Sequence, residues 1–214
     1  MNNLKIVLTG APGSGKTIIL NRLKQEKSFS DFLFFDEMAR LLLEKNPEYR
    51  KNWHDFHLQI FKEQCRQEIE AKNKSFITDR GTLDAVAFHY EIINTIKTTF
   101  EDEYRRYTHI IHLESTANLG DKYYKTDRIR TESIAKVLEI ENNLKNIWGN
   151  HPGYMFIKAN KDFENKYKNL LNLILKSFSA FINMYLGCFP QIFIKLFSIS
   201  KTFAIDSFLI LSVL

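Results

Sequence analysis

Eight consecutive residues, Gly10-Ala11-Pro12-Gly13-Ser14-Gly15-Lys16-Thr17, constrain this chain more than any other stretch. An apolar run, Leu4 to Leu8, precedes them, and the helix-like segment Ile18-Ile19-Leu20-Asn21-Arg22-Leu23 follows. The pattern is G-x-x-x-x-G-K-[ST] set between a strand and a helix, the context its mechanism requires. Glycine permits left-handed backbone and a close approach of the main chain, so successive N–H groups can face a phosphate. The positive end of the following helix adds to that field. Lys16 is placed to reach the β- and γ-phosphates, and the Thr17 hydroxyl to ligate Mg²⁺. The eight residues are therefore read together as a nucleoside-triphosphate cradle.

The remaining chain must supply a sheet on which such a loop can sit. Leu4 to Thr9 reads as a buried parallel strand followed by a helix to about Lys27. Phe32-Leu33-Phe34-Phe35 forms a second strand; a helix then starts at Asp36-Glu37-Met38-Ala39-Arg40 and stops at Asn46-Pro47, where proline disfavours helix before it. A long amphipathic helix is expected from about Asp55 to Lys72, with Phe56, Ile60, Phe61, Cys65 and Ile69 facing inward. Ser75-Phe76-Ile77-Thr78 is the third strand, ended by Asp79-Arg80-Gly81, and Leu83 to Phe100 reads as one helix. Thr108 to Leu113, a polar loop, a helix over Ser133 to Trp148, a strand over Tyr154 to Lys158 and a helix over Phe163 to Lys176 complete the alternation. Strands alternating with helices predict an α/β three-layer sandwich around a parallel sheet, with ligands at the carboxyl edge.

Length and composition narrow the class. A chain of 214 residues holds one substantial domain, here 1–176. Its net charge of +5 suits phosphate ligands but shows no basic block interleaved with aromatics, so nucleic acid is not an expected partner. Cys65 and Cys188 are too far apart for a zinc motif or a disulfide framework, which points to a reducing, cytoplasmic setting. Residues 177–214 differ: they are rich in phenylalanine and carry only Lys195, Lys201 and Asp206 as charges. Three readings fit this tail, namely a membrane-associating segment, extra packing helices for the domain or a partner, or residues not native to the fold.

A phosphate loop needs acids and cations from neighbouring strand ends. Asp79 and Arg80 emerge together after the third strand, where the acid could hold Mg²⁺ or accept a proton and the guanidinium could grip a phosphate. The alternative is a strand-end ion pair or cap. Asp36, Glu37 and Arg40 lie after the second strand; Glu37 and Arg40, three apart, share a helix side and form either a substrate clamp or a surface pair. Asp84 either lines the pocket or favours the first turn of the next helix. Arg128 and Arg130 are positioned to close over the phosphates, or are solvated helix-start residues. The histidines lack metal-ligand spacing as a set, and His109 and His112 read as core or edge positions.

Taken together, Ile-Val-Leu-Thr-Gly-Ala-Pro-Gly-Ser-Gly-Lys-Thr, Phe-Phe-Asp-Glu-Met-Ala-Arg and Phe-Ile-Thr-Asp-Arg-Gly-Thr-Leu-Asp resemble the NadR-like AAA-type ATPase/kinase domain family of nucleoside- and nucleotide-kinase-like P-loop proteins. The resemblance covers about residues 4–176. It implies a five-stranded sheet of order 2-3-1-4-5, ATP as donor, and a third-strand Asp near the acceptor or Mg²⁺. By position these roles fall on Lys16, Thr17, Asp79, Arg80, Glu37 and Arg40, with Arg128 and Arg130 in a lid-like segment. The expected activity is ATP- and Mg²⁺-dependent phosphoryl transfer to a small nucleoside-like metabolite. The rival is an ATPase switch acting on a protein or membrane partner. A GTPase is disfavoured because Asn160-Lys161-Asp162 brings its acid one position early and Asp79-Arg80-Gly81 breaks the Asp-x-x-Gly spacing.

Overall fold

Five strands and eight helices alternate through the computed structural model, which describes residues 3–125 and 132–186, the last nine by backbone alone. The strands are β1 (Lys5–Thr9), β2 (Leu33–Phe35), β3 (Phe76–Asp79), β4 (His109–Leu113) and β5 (Tyr154–Ile157). The helices are α1 (Lys16–Leu23), α2 (Met38–Lys45), α3 (Trp53–Glu70), α4 (Asp84–Phe88), α5 (Ile92–Ile96), α6 (Phe100–Tyr104), α7 (Ile134–Trp148) and α8 (Phe163–Leu186). Every strand pair is parallel, in the order β2-β3-β1-β4-β5. This is the expected three-layer P-loop architecture.

The register explains where the ligand edge forms. Leu8 pairs with Asp79 and Thr9 with His112, so the carboxyl ends of β1, β3 and β4 finish side by side. Ile6, Val7 and Leu8 are essentially inaccessible, as are Ile77, Ile110 and Ile111, because central parallel strands are covered on both faces. The chain falls into two compact units, Met1–Lys166 and Tyr167–Leu214. The first holds the sheet and α1 to α7; α8 begins in it and continues into the second. The backbone of α8 runs to Leu186, beyond the expected stop at Lys176. Among the described residues no helix is long and apolar enough to cross a membrane.

Two expected helices end sooner than apolar periodicity suggests. The helix after the phosphate loop ends at Leu23 instead of about Lys27, and Lys27–Phe29 form a separate 3-10 turn. The segment from Leu83 to Phe100 is not one helix. His89 leaves helical geometry (φ −145°), Lys97 turns left-handed (φ 52°), and Thr99 is extended with its side chain accepting the Asp102 N–H. The Thr99 cap starts α6 anew, a local competition that apolar periodicity does not register.

In α3 the inward stripe is Phe56, Ile60, Gln64 and Glu68, while Ile69 is 72% exposed. A four-residue ridge is thus buried and includes two polar groups. They stay buried because Gln64 Nε2 donates to Glu68 Oε1 and to Thr78 Oγ1, both at 2.9 Å.

Candidate active site

The loop between β1 and α1 is the floor of the site. Gly10, Gly13 and Gly15 all take positive φ, at 143°, 81° and 85°. At Gly13 a side chain has no room, since a Cβ would stand 2.9 Å from the Tyr124 ring. Lys16 is 6% exposed, and its Nζ donates to the Gly10 carbonyl at 2.7 Å and to Ser14 Oγ at 3.1 Å. Burial, reinforced by nearby Arg80, lowers its pKa, while Asp79, Glu37 and Asp84 pull the other way. Three acids thus surround the Lys16 ammonium where a polyphosphate would also place negative charge.

Asp79 ends β3 beside this loop and is 1% exposed. Thr17 Oγ1 donates to Asp79 Oδ2 at 3.0 Å, and Asp79 Oδ1 is buried with no hydrogen-bond partner among the described residues. Burial pushes this carboxyl up to about 6 against the pull of Lys16, and Glu37 adds to the rise.

Arg80 adopts φ 81°, a left-handed conformation that costs energy for a side chain with a Cβ and is found where surrounding contacts over-determine it. Those contacts are visible. Its N–H donates to the Leu8 carbonyl at 3.0 Å, and its own carbonyl accepts from Thr78 Oγ1 at 2.9 Å. Thr78 is in turn held by Gln64 of α3. The next residue but one, Thr82, donates its N–H to the Tyr107 hydroxyl at 2.9 Å, and that hydroxyl donates to Glu68 at 2.6 Å. Buried polar groups from α3 and from Tyr107, two residues before β4, therefore brace the turn from behind.

The side chain of Arg80 bonds Glu37 at 2.9 Å and Asp84 at 3.4 Å, with its guanidinium 4.8 Å from the Phe88 ring centre. Burial opposes its charge, but Glu37, Asp84 and Asp79 outweigh burial and raise its pKa. Glu37 is lowered: burial pushes it up, and Arg80 with Lys16 more than offsets this.

These contacts redistribute the pairs expected from sequence. Glu37 does not join Arg40; it precedes α2 and pairs across the chain with Arg80, whereas Arg40 bonds Glu44 at 3.3 Å on the exposed face. Long-range burial favours the Arg80 partner over the i,i+3 neighbour, whose solvated ion pair is worth little. Asp36 bonds Lys24 at 2.6 Å and is largely exposed. Asp84 opens α4, and both its oxygens are used: Oδ1 accepts from Thr9 at 2.7 Å, and Oδ2 from Trp148 Nε1 at 3.0 Å and Gly81 N–H at 3.1 Å. Arg128 and Arg130 lie outside the described residues.

Several contributors carry no motif. Glu141 of α7 accepts from His112 Nε2 at 2.7 Å, from Ser115 N–H at 3.3 Å and from Ala11 N–H at 3.4 Å. Burial raises this carboxyl, yet the His112 bond and charge hold it below its ordinary value. Ser115 donates its hydroxyl to the Pro12 carbonyl at 2.5 Å, and Thr116 donates to the Gly13 carbonyl at 3.2 Å. Tyr124 covers Gly13, and Lys166 of α8 reaches the Ser14 carbonyl at 2.8 Å. The only advance sign of such residues is a polar side chain on an apolar helix stripe, as Glu141 is between Ile140 and Leu144.

Beyond Arg80 the site has an aromatic side. His57 of α3 lies nearly parallel to Phe88 (ring centres 5.9 Å, 18°) and to His89 (5.8 Å, 10°), and Trp53 beside them is 47% exposed. Burial drops His57 to about 4, with His89 and Arg80 contributing against the Trp53 carbonyl bond.

A family model described as an AAA domain matches residues 5–166. The chain belongs to the AAA domain family. The match spans the whole of the sheet and ends at Lys166. Among solved structures, this AAA domain resembles deoxyadenosine kinase from M. mycoides with dATP bound (16% identity, TM-score 0.58, covering 80% of this chain and 99% of that one). A second structure of that kinase, with the products dCMP and a flexible dCDP, gives 15% identity and TM-score 0.57, covering 81% of this chain and all of the other. At such identity the likeness concerns the fold. No curated protein sequence matches. Family and fold make this AAA domain a P-loop protein of the kinase and ATPase class, while the finer NadR-like grouping rests on the motifs alone.

Proposed function

We propose that the protein transfers the γ-phosphoryl group of ATP, as its Mg²⁺ complex, to a hydroxyl of a small nucleoside-like metabolite in a cytoplasmic setting. The observation that carries this reading is the meeting of Thr17, Lys16 and Asp79 at one strand edge, with Asp79 Oδ1 buried and unpartnered. An unsatisfied buried carboxylate oxygen is costly, and a cation or an acceptor hydroxyl would satisfy it.

Mg²⁺ favours oxygen ligands and commonly combines one or two protein groups with phosphates and water. The Thr17 hydroxyl and Asp79 carboxylate fit that donor set. Bound there, the ion supplies charge neutralisation at the phosphates. Lys16 and the loop amides of residues 10–17 hold the β- and γ-phosphates, using groups already fixed before reaction. Asp79 orients the acceptor hydroxyl and takes up its proton, a role suited by a carboxyl raised to about 6.

Arg80, fixed by Glu37, presents positive charge beside Asp79, and the buried Asp84 holds Arg80 and the Gly81 amide in place. Asp36 and Arg40 belong to the same acceptor side at its rim. The parallel rings of His57 and Phe88, one step outward from Arg80, favour a planar acceptor over an aliphatic one. Residues 1–176 form the catalytic domain in this reading, with 177–214 a separate segment.

The test is ADP production by the full chain with Mg-ATP, alone and with nucleosides, nucleoside monophosphates and ribosylnicotinamide, alongside K16A. One acceptor class should stimulate turnover and yield a phosphorylated product, with K16A reduced at least ~100-fold. Slow turnover indifferent to every acceptor would instead identify an ATP-gated switch.

A further inference from the structure

Lys166 lies on the first turns of α8, is 2% exposed, and is given no role by the phosphoryl-transfer chemistry above. A lysine is seldom so buried unless its ammonium is matched. Here its Nζ donates to two main-chain carbonyls, Ser14 at 2.8 Å and Glu114 at 2.7 Å, tying the phosphate loop to the residue that follows β4.

The choice of Ser14 matters because a trans peptide is planar, with its C=O and N–H on opposite sides. Holding the Ser14 carbonyl therefore aims the N–H of Gly15 away from Lys166. Ser115 does the same one bend earlier, since its grip on the Pro12 carbonyl at 2.5 Å orients the N–H of Gly13. The same part of α8 limits movement at Gly15, where a Cβ would stand 3.1 Å from the Phe163 ring, and Gly15 itself needs positive φ (85°). Glu164 adds a two-pronged pair with Arg22 of α1 at 2.6 and 3.0 Å, but it is exposed and contributes little.

We propose that Lys166 is a positioning residue for the triphosphate, fixing the Ser14–Gly15 peptide so that its N–H faces the bound nucleotide. This rests on the ATP-binding reading above. It also carries a proton dependence. Burial lowers the Lys166 ammonium to about 8, helped by the charge of Lys16, while Glu141 and Glu114 raise it. Loss of its proton weakens the hold on both carbonyls and removes positive charge beneath the phosphates, so nucleotide affinity falls as pH rises through about 8.

The experiment is Mg-ATP affinity by calorimetry between pH 7 and 9 for the full-length protein, K166M, K166R and E164Q, each with its thermal unfolding midpoint. At pH 7, K166M should bind about tenfold more weakly, the scale for losing a charged hydrogen bond. It should also lose the part of the wild-type pH slope that Lys166 carries. K166R, charged throughout, should restore most of the affinity and flatten the slope, and E164Q should match wild type. Wild-type affinity and slope in folded K166M overturn the proposal. So does loss of the folded state in both Lys166 variants, which would assign the residue to the fold at large. Wild-type protein that does not bind Mg-ATP at all would instead overturn the ATP reading itself.

Discussion

The two sides of the site are built by different means. The proposed phosphate side is one contiguous loop, and its working groups are main-chain amides plus Lys16 and Thr17. The side proposed to take the acceptor is assembled from Glu37 before α2, His57 of α3, Arg80 after β3 and Phe88 of α4, which meet only in the folded chain. Backbone geometry carries the first, and side-chain partnerships the second. A motif search therefore takes in the loop whole, whereas on the other side it marks Glu37 and Arg80 without showing that they pair.

Three substitutions separate the sides, in falling order of effect. D79N should leave Mg-ATP binding within about tenfold while slowing acceptor phosphorylation by ~100-fold or more, the range for loss of an acid–base group. Binding isotherms and single-turnover assays run together check it, and equal loss of both would erase the division of labour assigned to Asp79.

Q64L removes the donor to Thr78 and Glu68 and should cost about 1–3 kcal/mol of stability. Because Thr78 holds the Arg80 carbonyl, the KM for the acceptor should rise more than that for ATP. Denaturant titration and paired KM measurements decide it, and a larger change in the ATP value would break the comparison.

H57F addresses the aromatic side alone. Burial lowers His57 to about 4 from an unfolded value near 6.5, so between those limits the unfolded chain binds more protons. Stability from this residue is full above about pH 6.5 and is lost as pH falls through about 4. H57F should therefore show a shallower acid loss of stability than wild type across that window, by roughly 2 kcal/mol, followed by thermal melts at several pH values. A wild-type midpoint that stays flat from pH 7 to 4 would contradict it.

The same contrast explains what could be read from the chain. The strands, their parallel arrangement and the loop are local signals, and the carboxyl-edge placement of Asp79 and Arg80 follows once the strand ends are known. What stayed hidden needed partners far away in sequence. Glu37 looked paired with Arg40 because three-residue spacing is visible, whereas the Arg80 partner is 43 positions distant. Gln64 and Glu68 gave no sign of being interior because their bonds to Thr78 and Tyr107 cross between elements. Lys166 belongs to a helix that reads as simply amphipathic until Ser14 is beside it. The break at Thr99 was a local signal that a count of apolar positions passes over.

The brace behind the Arg80 turn has a consequence for how such a protein diversifies. Gln64, Glu68, Thr78 and Tyr107 grip the turn from within the core, and the rings of Trp53, His57 and Phe88 take no part in those bonds. Under the proposed function, changes in the rings can therefore reshape which small molecule is accepted, while Asp79 keeps its station. Substitutions in the rings should leave the Arg80 turn braced, whereas substitutions in the four polar groups should loosen it.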